Sequence, residues 1–311
     1  MLRILARFAL TLFVASVVIF VLLRVIPGDP AEIALGVTAT PELLAAARES
    51  AGLDQPLLTQ YFAWMGALLT GDFGTSLTNK LDITPLVLDR LQVSLILVGV
   101  SMLLALAAAI PLGTWAAVRH RHIDGAIITA GSQIGIAIPS FLAGILLVSA
   151  FAVRLGWFPA NGWVPPSYSM KEFASRLVLP AVALAAVQGA MMTRYVRASV
   201  LEILNEDFMR TARATGLSRA KALVQHGLRN AAIPVITVTG VQLAALVVGA
   251  VVIERVFTIP GLGTMLLDAV LTRDLPTVQT VVMVLVFLTL AANLIVDLLA
   301  AVVDPRIGKE A

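Results

Sequence analysis

Three consecutive pieces of the chain decide its fold: LVLPAVALAAVQGAMMT (Leu177–Thr193), RYVRASVLEILNEDFMRTARATGLSRAKALVQHGLR (Arg194–Arg229) and NAAIPVITVTGVQLAALVVGAVVI (Asn230–Ile253). The outer two contain no Asp, Glu, Lys or Arg over 17 and 24 residues. A helix that crosses a bilayer needs about 20 such residues. The middle piece carries seven Lys/Arg against three acids. Two apolar spans joined by a basic loop is a membrane signature, and the rest of the chain repeats it.

Four more charge-free stretches are strongly apolar: Phe8–Leu23, Leu91–Val118, Gly125–Val153 and Leu275–Val296, of 16, 28, 29 and 22 residues. The first is short, but Arg7 and Arg24 can snorkel at its ends. The two longest can tilt or extend beyond the bilayer. Its length and the absence of a small-x-small site after Arg24 favour a retained anchor over a cleaved leader for the first stretch. Composition agrees, with 59% hydrophobic residues, 13% charged ones and a mean hydropathy of +0.94 over 311 residues. An ordinary soluble domain carries roughly 25% charged residues. A soluble enzyme, a disordered tail and a fibrous repeat are excluded. The expected fold is all-α and polytopic, with six transmembrane helices.

Gln55–Gly71 is a seventh apolar candidate. Its Gln55, Pro56, Gln60, Tyr61 and Trp64 suit a helix lying in the interface better than a span. Charge supports six spans. With the N-terminus inside, the inside segments (1–8, 119–124, 194–230 and 303–311) hold 13 Lys/Arg in 60 residues. The outside segments (24–91, 154–177 and 254–277) hold 9 in 116. That is the positive-inside bias, and it accounts for the pI near 9.6 without nucleic acid. Pro41–Ala51 reads as a short helix and Gly71–Gly74 as a turn in the long outer loop.

The basic loop is the most informative segment. Leu201, Leu204, Phe208 and Ala212 recur at helical spacing, which predicts one helix over Leu201–Thr215 with Arg210 and Arg213 on another face. Gly216 stands where a left-handed cap would end it, and Ser218 can start the next helix. Such a hairpin suits docking in another protein's groove, or lying on headgroups with its arginines on phosphates.

Rival chemistries lack their residues. No Gly-x-x-x-x-Gly-Lys-Ser/Thr loop occurs, so ATP is not bound by that means. Cys is absent and the three His (His120, His122, His226) form no metal-ligand pair. No Gly-x-Ser-Gly nucleophile or carboxylate dyad marks an intramembrane enzyme. The third, fourth and fifth spans hold no ionisable group that could couple transport to an ion. Asp297, near the inner end of the sixth, is the only acid deep in an apparent span. Polar and helix-breaking residues that could face a water-filled pathway are Ser132, Gln133, Pro139 and Ser140 in the third span and Thr237, Thr239 and Gln242 in the fifth. The same groups could instead bond neighbouring helices. Pro139 can kink its helix.

Asp207-Phe-Met-Arg-Thr-Ala-Arg-Ala-Thr-Gly-Leu217, followed by His226-Gly-Leu-Arg-Asn-Ala-Ala-Ile-Pro234, resembles the inner loop of binding-protein-dependent ABC importer permeases, in the oligopeptide/dipeptide/nickel branch. Ile26–Ala31, Gly52–Pro56, Thr70–Leu77, Val256–Gly263, Arg273–Pro276 and Asp297–Ile307 resemble further motifs of that branch, in its order. The resemblance implies a B-type permease of the type I importer fold. The parts would be a first span (1–26), a periplasmic loop with an interfacial helix (27–90), a five-span core (91–303) and a cytoplasmic tail (304–311). Within the core, a coupling loop (199–230) would meet the ATPase through Glu206, Asp207, Phe208, Arg210, Thr211, Ala212, Arg213, Ala214 and Gly216. Thr211-Ala212-Arg213 stands where the broader family has Glu-Ala-Ala, so contacts of that Glu do not carry over. The implied partners are a homologous C-type permease, two ATPase subunits that use ATP and Mg, and a periplasmic or lipid-anchored substrate-binding protein, all at the bacterial inner membrane. The chain itself is expected to be no enzyme and to bind no cofactor. The cargo class is di- or oligopeptides, with glutathione or nickel complexes as alternatives.

Overall fold

The computed structural model describes residues 2–25, 40–50 and 52–303. The Ile26–Ala31 motif and the 304–311 tail lie outside the described residues. Helix α1 (Leu2–Val25) is followed by two short helices, α2 (Pro41–Ser50) and α3 (Leu57–Thr70). Then come α4 (Thr84–Val118), α5 (Ile123–Ala137) and α6 (Ser140–Leu147), which continues through a π-helical segment, Val148–Arg154. Helix α7 (Met170–Leu204) leads to α8 (Asp207–Ala214) and α9 (Arg219–Ala222). A π-helical turn, Leu223–Gly227, joins α9 to α10 (Leu228–Val256), and α11 (Leu262–Leu271) and α12 (Leu275–Val303) follow. Five helical stretches are long and apolar enough to cross a membrane, and the α5–α6 pair makes a sixth if its two arms count as one span.

Helices α4 and α7 form the centre. Each has 35 residues, or about 52 Å at 1.5 Å per residue. Both outrun the apolar stretches that mark them, because polar ends such as Asp89, Arg90, Lys171 and Glu172 remain helical outside the oily core. They approach closely: a Cβ at Gly113 would meet Val196 Cβ at 2.7 Å, so only Gly lets the helices come this near. Leu97, Met102, Ala183 and Leu184 fill one buried cluster with Ile253 and Phe257 of α10 and its end. Met192, Val196 and Val200 of α7 fill another with Met209, Leu223 and Ala231. Helix α1 packs antiparallel on α12, with the Phe8 and Phe287 rings 6.2 Å apart.

The third apolar stretch departs from a simple kinked span. The arms α5 and α6 meet at 100° across Ile138 and Pro139. Ile138 is extended (ψ 119), as the residue before a proline tends to be, and Pro139 then begins the second arm. The 55–71 segment folds as α3, and the Tyr61 hydroxyl reaches Ser16 Oγ at 2.7 Å, nine residues inside the end of α1. Helix α3 therefore lies against the flank of the first span.

Candidate functional site

The chain crosses between two ends. One bears the 119–122 turn and the α8–α9 hairpin; the other bears α2, α3, the 155–169 connection and α11.

At the hairpin end the expected single helix over Leu201–Thr215 is two. Helix α7 stops at Leu204, with Asn205 Nδ2 donating to the Leu201 carbonyl at 3.0 Å. Glu206 is extended (ψ 149), and α8 restarts at Asp207. Leu201 and Leu204 thus belong to α7, whereas Phe208 and Ala212 belong to α8. Asp207 lies in the first turn of α8 and Arg213 in the last, which suits the helix dipole at both ends. Gly216 has φ +96°. Its N–H donates to Arg213 O at 3.1 Å, and Leu217 N–H donates to Ala212 O at 3.4 Å. That pair of bonds is the Schellman arrangement, and Leu217 and Ala212 complete it by packing on one apolar cluster. Ser218 Oγ then caps α9 by accepting from Lys221 N–H at 3.3 Å.

Met209 is the hairpin's anchor: 1% exposed, it packs with Leu223 and Val200. Ala212 turns to the same cluster, so it faces the chain's own core. Phe208 is 38% exposed, and Glu206, Asp207, Arg210, Thr211, Arg213, Ala214 and Gly216 are exposed around it. The Arg210–Asp207 pair at 3.2 Å is itself 75% and 95% exposed and adds little to stability. The hairpin thus presents a part-exposed aromatic ring on a short helix whose other outer positions are charged or small.

The pathway candidates are dispersed. Ser132 is buried and its hydroxyl donates to the Thr129 carbonyl at 2.8 Å; Gln133 and Pro139 are exposed, and Ser140 begins α6. Thr237 and Thr239 donate to Ile233 and Val235 carbonyls at 3.2 and 2.8 Å. Gln242 is buried. Three of the four hydroxyls therefore bond within their own helices.

At the opposite end two buried carboxylates hold the structure, and sequence reasoning missed both. Glu254, 1% exposed, accepts from Ser94 Oγ at 2.6 Å, Gly263 N–H at 2.8 Å and Thr264 N–H at 3.2 Å. Ser94 Oγ in turn accepts from Leu262 N–H at 2.8 Å. One acid and one hydroxyl thus satisfy the orphan N–H groups of the first turn of α11. Asp274, 4% exposed, accepts from Ser76 Oγ at 2.5 Å, Leu77 N–H at 3.1 Å and Thr277 Oγ1 at 2.7 Å. It fixes the 70–83 turn to the start of α12. The available signal was positional: Glu254 directly follows an apolar stretch, and Asp274 directly precedes one. Among the described residues no group of three or more His, Cys, Asp or Glu could hold a metal ion.

Comparison with known proteins places this architecture. Residues 109–309 match the family "Binding-protein-dependent transport system inner membrane component", and residues 1–98 match the N-terminal membrane component of the same systems. The chain is 39% identical to the oligopeptide transport system permease protein AppB of Bacillus subtilis, covering 94% of this chain and 93% of that one. It is 38% identical to the glutathione transport system permease protein GsiC of Escherichia coli, covering 96% and 94%. It is 37% identical to a probable peptide ABC transporter permease protein, y4tP, of Sinorhizobium fredii, covering 98% of each. A crystal structure of an amino acid ABC transporter with histidines superposes with a TM-score of 0.50 at 18% identity, over 70% of this chain and 94% of that one, and shares the fold. The chain belongs to the binding-protein-dependent transport system inner membrane component family, as a multi-pass B-type permease of the oligopeptide/dipeptide/nickel branch of ABC importers.

Proposed function

We propose that this chain forms half of the translocation pathway of an ATP-driven importer and pairs with a homologous C-type permease. Two separate ATPase chains would drive it, using ATP and Mg, and a substrate-binding protein would deliver cargo. The cargo is a di- or oligopeptide, the chemistry common to the relatives named above; glutathione, itself a small peptide, falls in the same class. The observation that carries the reading is the α8 hairpin: a part-exposed Phe208 on one face, exposed Arg210 and Arg213 on another, and the neighbouring Met209 buried in the chain's own core. A rigidly backed apolar knob suits a groove on an ATPase subunit better than a bilayer surface, because its backing transmits force.

The orientation follows from charge. Arg119, Arg121, Arg194, Arg197, Arg210, Arg213, Arg219, Lys221 and Arg229 all cluster toward the hairpin end. In this reading the positive-inside bias favours a cytoplasmic hairpin end, with both termini on the same side. The α2–α3 end becomes periplasmic, where a binding protein would dock. Glu254 has no coupling role in this reading, since its oxygens are occupied by three donors.

The test is ATP-dependent peptide uptake by membrane vesicles, with co-purification of the ATPase chains. Phe208→Asp should leave the permease in the membrane yet abolish both association and uptake, while a change at exposed Lys221 should do neither. Normal association in Phe208→Asp overturns the coupling assignment. Peptide uptake that needs no ATP overturns the importer reading itself.

A further inference from the structure

A groove of about 160 Å³ runs between the first and last spans, at the end of the molecule that bears the hairpin. Helix α1 contributes Ile4, Arg7, Phe8 and Thr11 to its lining. Helix α12 contributes Leu290, Asn293, Leu294 and Asp297. Each set is spaced i, i+3, i+4, i+7, so each is one face of its helix, and the groove lies where the two faces meet. Each face carries one charge, and the two are opposite in sign.

Neither charge is committed elsewhere. Among the described residues the Arg7 guanidinium and the Asp297 carboxylate form no ion pair and no hydrogen bond, with each other or with a third group. Both residues are exposed, so a molecule entering from the bilayer reaches them. Two opposite charges that border one groove without meeting suit an occupant that carries both signs.

The sequence sets the groove at a membrane boundary. Arg7 immediately precedes the charge-free stretch Phe8–Leu23, and Asp297 immediately follows Leu275–Val296. In an antiparallel pair these are the first charges beyond the oily core at the same end, the level at which lipid headgroups lie. An acid this close to hydrocarbon is costly unless a cation meets it. Leu5, Leu10, Phe13 and Val14 of α1 are exposed near the groove, as surface that acyl chains would cover.

We infer that this groove seats a zwitterionic phospholipid with a primary amine, the chemistry of an ethanolamine headgroup. Its phosphate accepts from Arg7 and its ammonium donates to Asp297. A choline headgroup carries the positive charge but has no N–H for the carboxylate. A glycerol headgroup leaves the phosphate's charge uncompensated beside Asp297. The seated lipid ties α1 to α12 at this end, as the Tyr61–Ser16 hydrogen bond ties α1 to α3 farther along.

The full-length chain, purified in detergent and stripped of lipid, is titrated separately with phosphatidylethanolamine, phosphatidylcholine and phosphatidylglycerol of the same acyl chains. Bound lipids are counted by native mass spectrometry. One saturable site should prefer phosphatidylethanolamine over each of the others by about five-fold, less than a buried charge-assisted hydrogen bond would give because both residues are exposed. Asp297→Asn should bind phosphatidylethanolamine and phosphatidylglycerol about equally, since it removes the ammonium's partner and the phosphate's repulsion together. Arg7→Gln should weaken all three lipids by about five-fold. The Asp297→Asn result is a change in the order of lipids, which holds the inference to account even if Arg7→Gln does not fold. No preferred lipid in the unaltered chain, or a preference that survives both substitutions, would overturn the inference. Loss of thermal stability in both variants with lipid binding unchanged would mean that Arg7 and Asp297 pair directly, and would overturn it too.

Discussion

The two ends of the molecule are held by different physics. At the α11 end, Glu254 and Asp274 bind segments that lie 160 to 198 residues away along the chain, through Ser94 and Ser76. At the hairpin end, among the described residues, the polar ties within the hairpin are short in sequence, a Schellman turn and a serine cap, and what joins it to distant α4 is apolar packing around Met209. The first end is locked by interior hydrogen bonds, each costly to remove. The second is a small preformed element whose outer face is spare. A lock resists change, whereas a spare face waits for a partner, and the contrast separates a structural end from a coupling end.

The contrast can be broken most forcefully at Glu254. Glu254→Ala leaves a hydroxyl and two backbone N–H groups buried without an acceptor, and should cost roughly 3 kcal/mol or more. Thermal unfolding in detergent measures it. A melting temperature like that of the unaltered chain would mean the α11 end is not locked as described.

Gly216→Val comes next. A β-branched residue at φ +96° is strained even where space is open, and beyond its chain neighbours nothing among the described residues lies within 4 Å of the position of a Cβ there. The cost is about 1–3 kcal/mol, confined to the hairpin. Uptake and ATPase association should fail while membrane abundance holds. Full activity in this variant would show that the turn's geometry is immaterial to coupling.

Ala212→Asp sharpens the same end at lower cost. Ala212 packs against the chain's own core, so a carboxylate there should loosen the hairpin by roughly 1 kcal/mol, since the half-buried site lets the charge swing out. Faster proteolysis between Asn205 and Leu217, seen before any global melting, is the expected outcome.

The smallest effect belongs to Asp82, in the turn before α4. The Thr84 N–H, 2.8 Å from Oδ1, and then the Thr84 hydroxyl hold its carboxyl below the usual carboxylate range. A depressed acid stabilises the fold above its unfolded value, about 3.9, and that contribution disappears as pH falls through the lower folded value. Asp82→Asn should therefore flatten slightly the loss of stability on acidification below about pH 4. An identical acid profile in both proteins would remove Asp82 from the account.

Much of this was legible in the sequence. Charge-free length located the spans, and Gly216 followed by Ser218 located a turn and a cap. The apolar alphabet failed where structure depends on the backbone or on distant partners. Stretch 125–153 reads as one span because nothing in hydropathy reports that Ile138 is extended before Pro139. Leu201, Leu204, Phe208 and Ala212 share a helical face on paper, yet Asn205 and Glu206 interrupt the helix between them. The Glu254–Ser94 and Asp274–Ser76 bonds were invisible for a simpler reason: a side chain's partner far along the chain leaves no periodicity. Phe208 and Met209 show the finest limit, since one is exposed and its neighbour buried, and only the angle of α8 on the core decides which.

The close pairing of α4 and α7 has a mechanical consequence. Two helices of about 52 Å are pressed together where only Gly113 permits, and the hairpin is attached at the far tip of one of them. Each also carries an internal proline, Pro111 in α4 beside the close contact and Pro180 in α7, where the pair can bend. A tilt of about 5° would swing each tip by roughly 2 Å at this length. A displacement imposed on Phe208 must cross the break at Asn205 and Glu206 and then Pro180 before it reaches the Trp163–Phe173 ring pair beside the opposite tip of α7, so those two places set how much of it arrives.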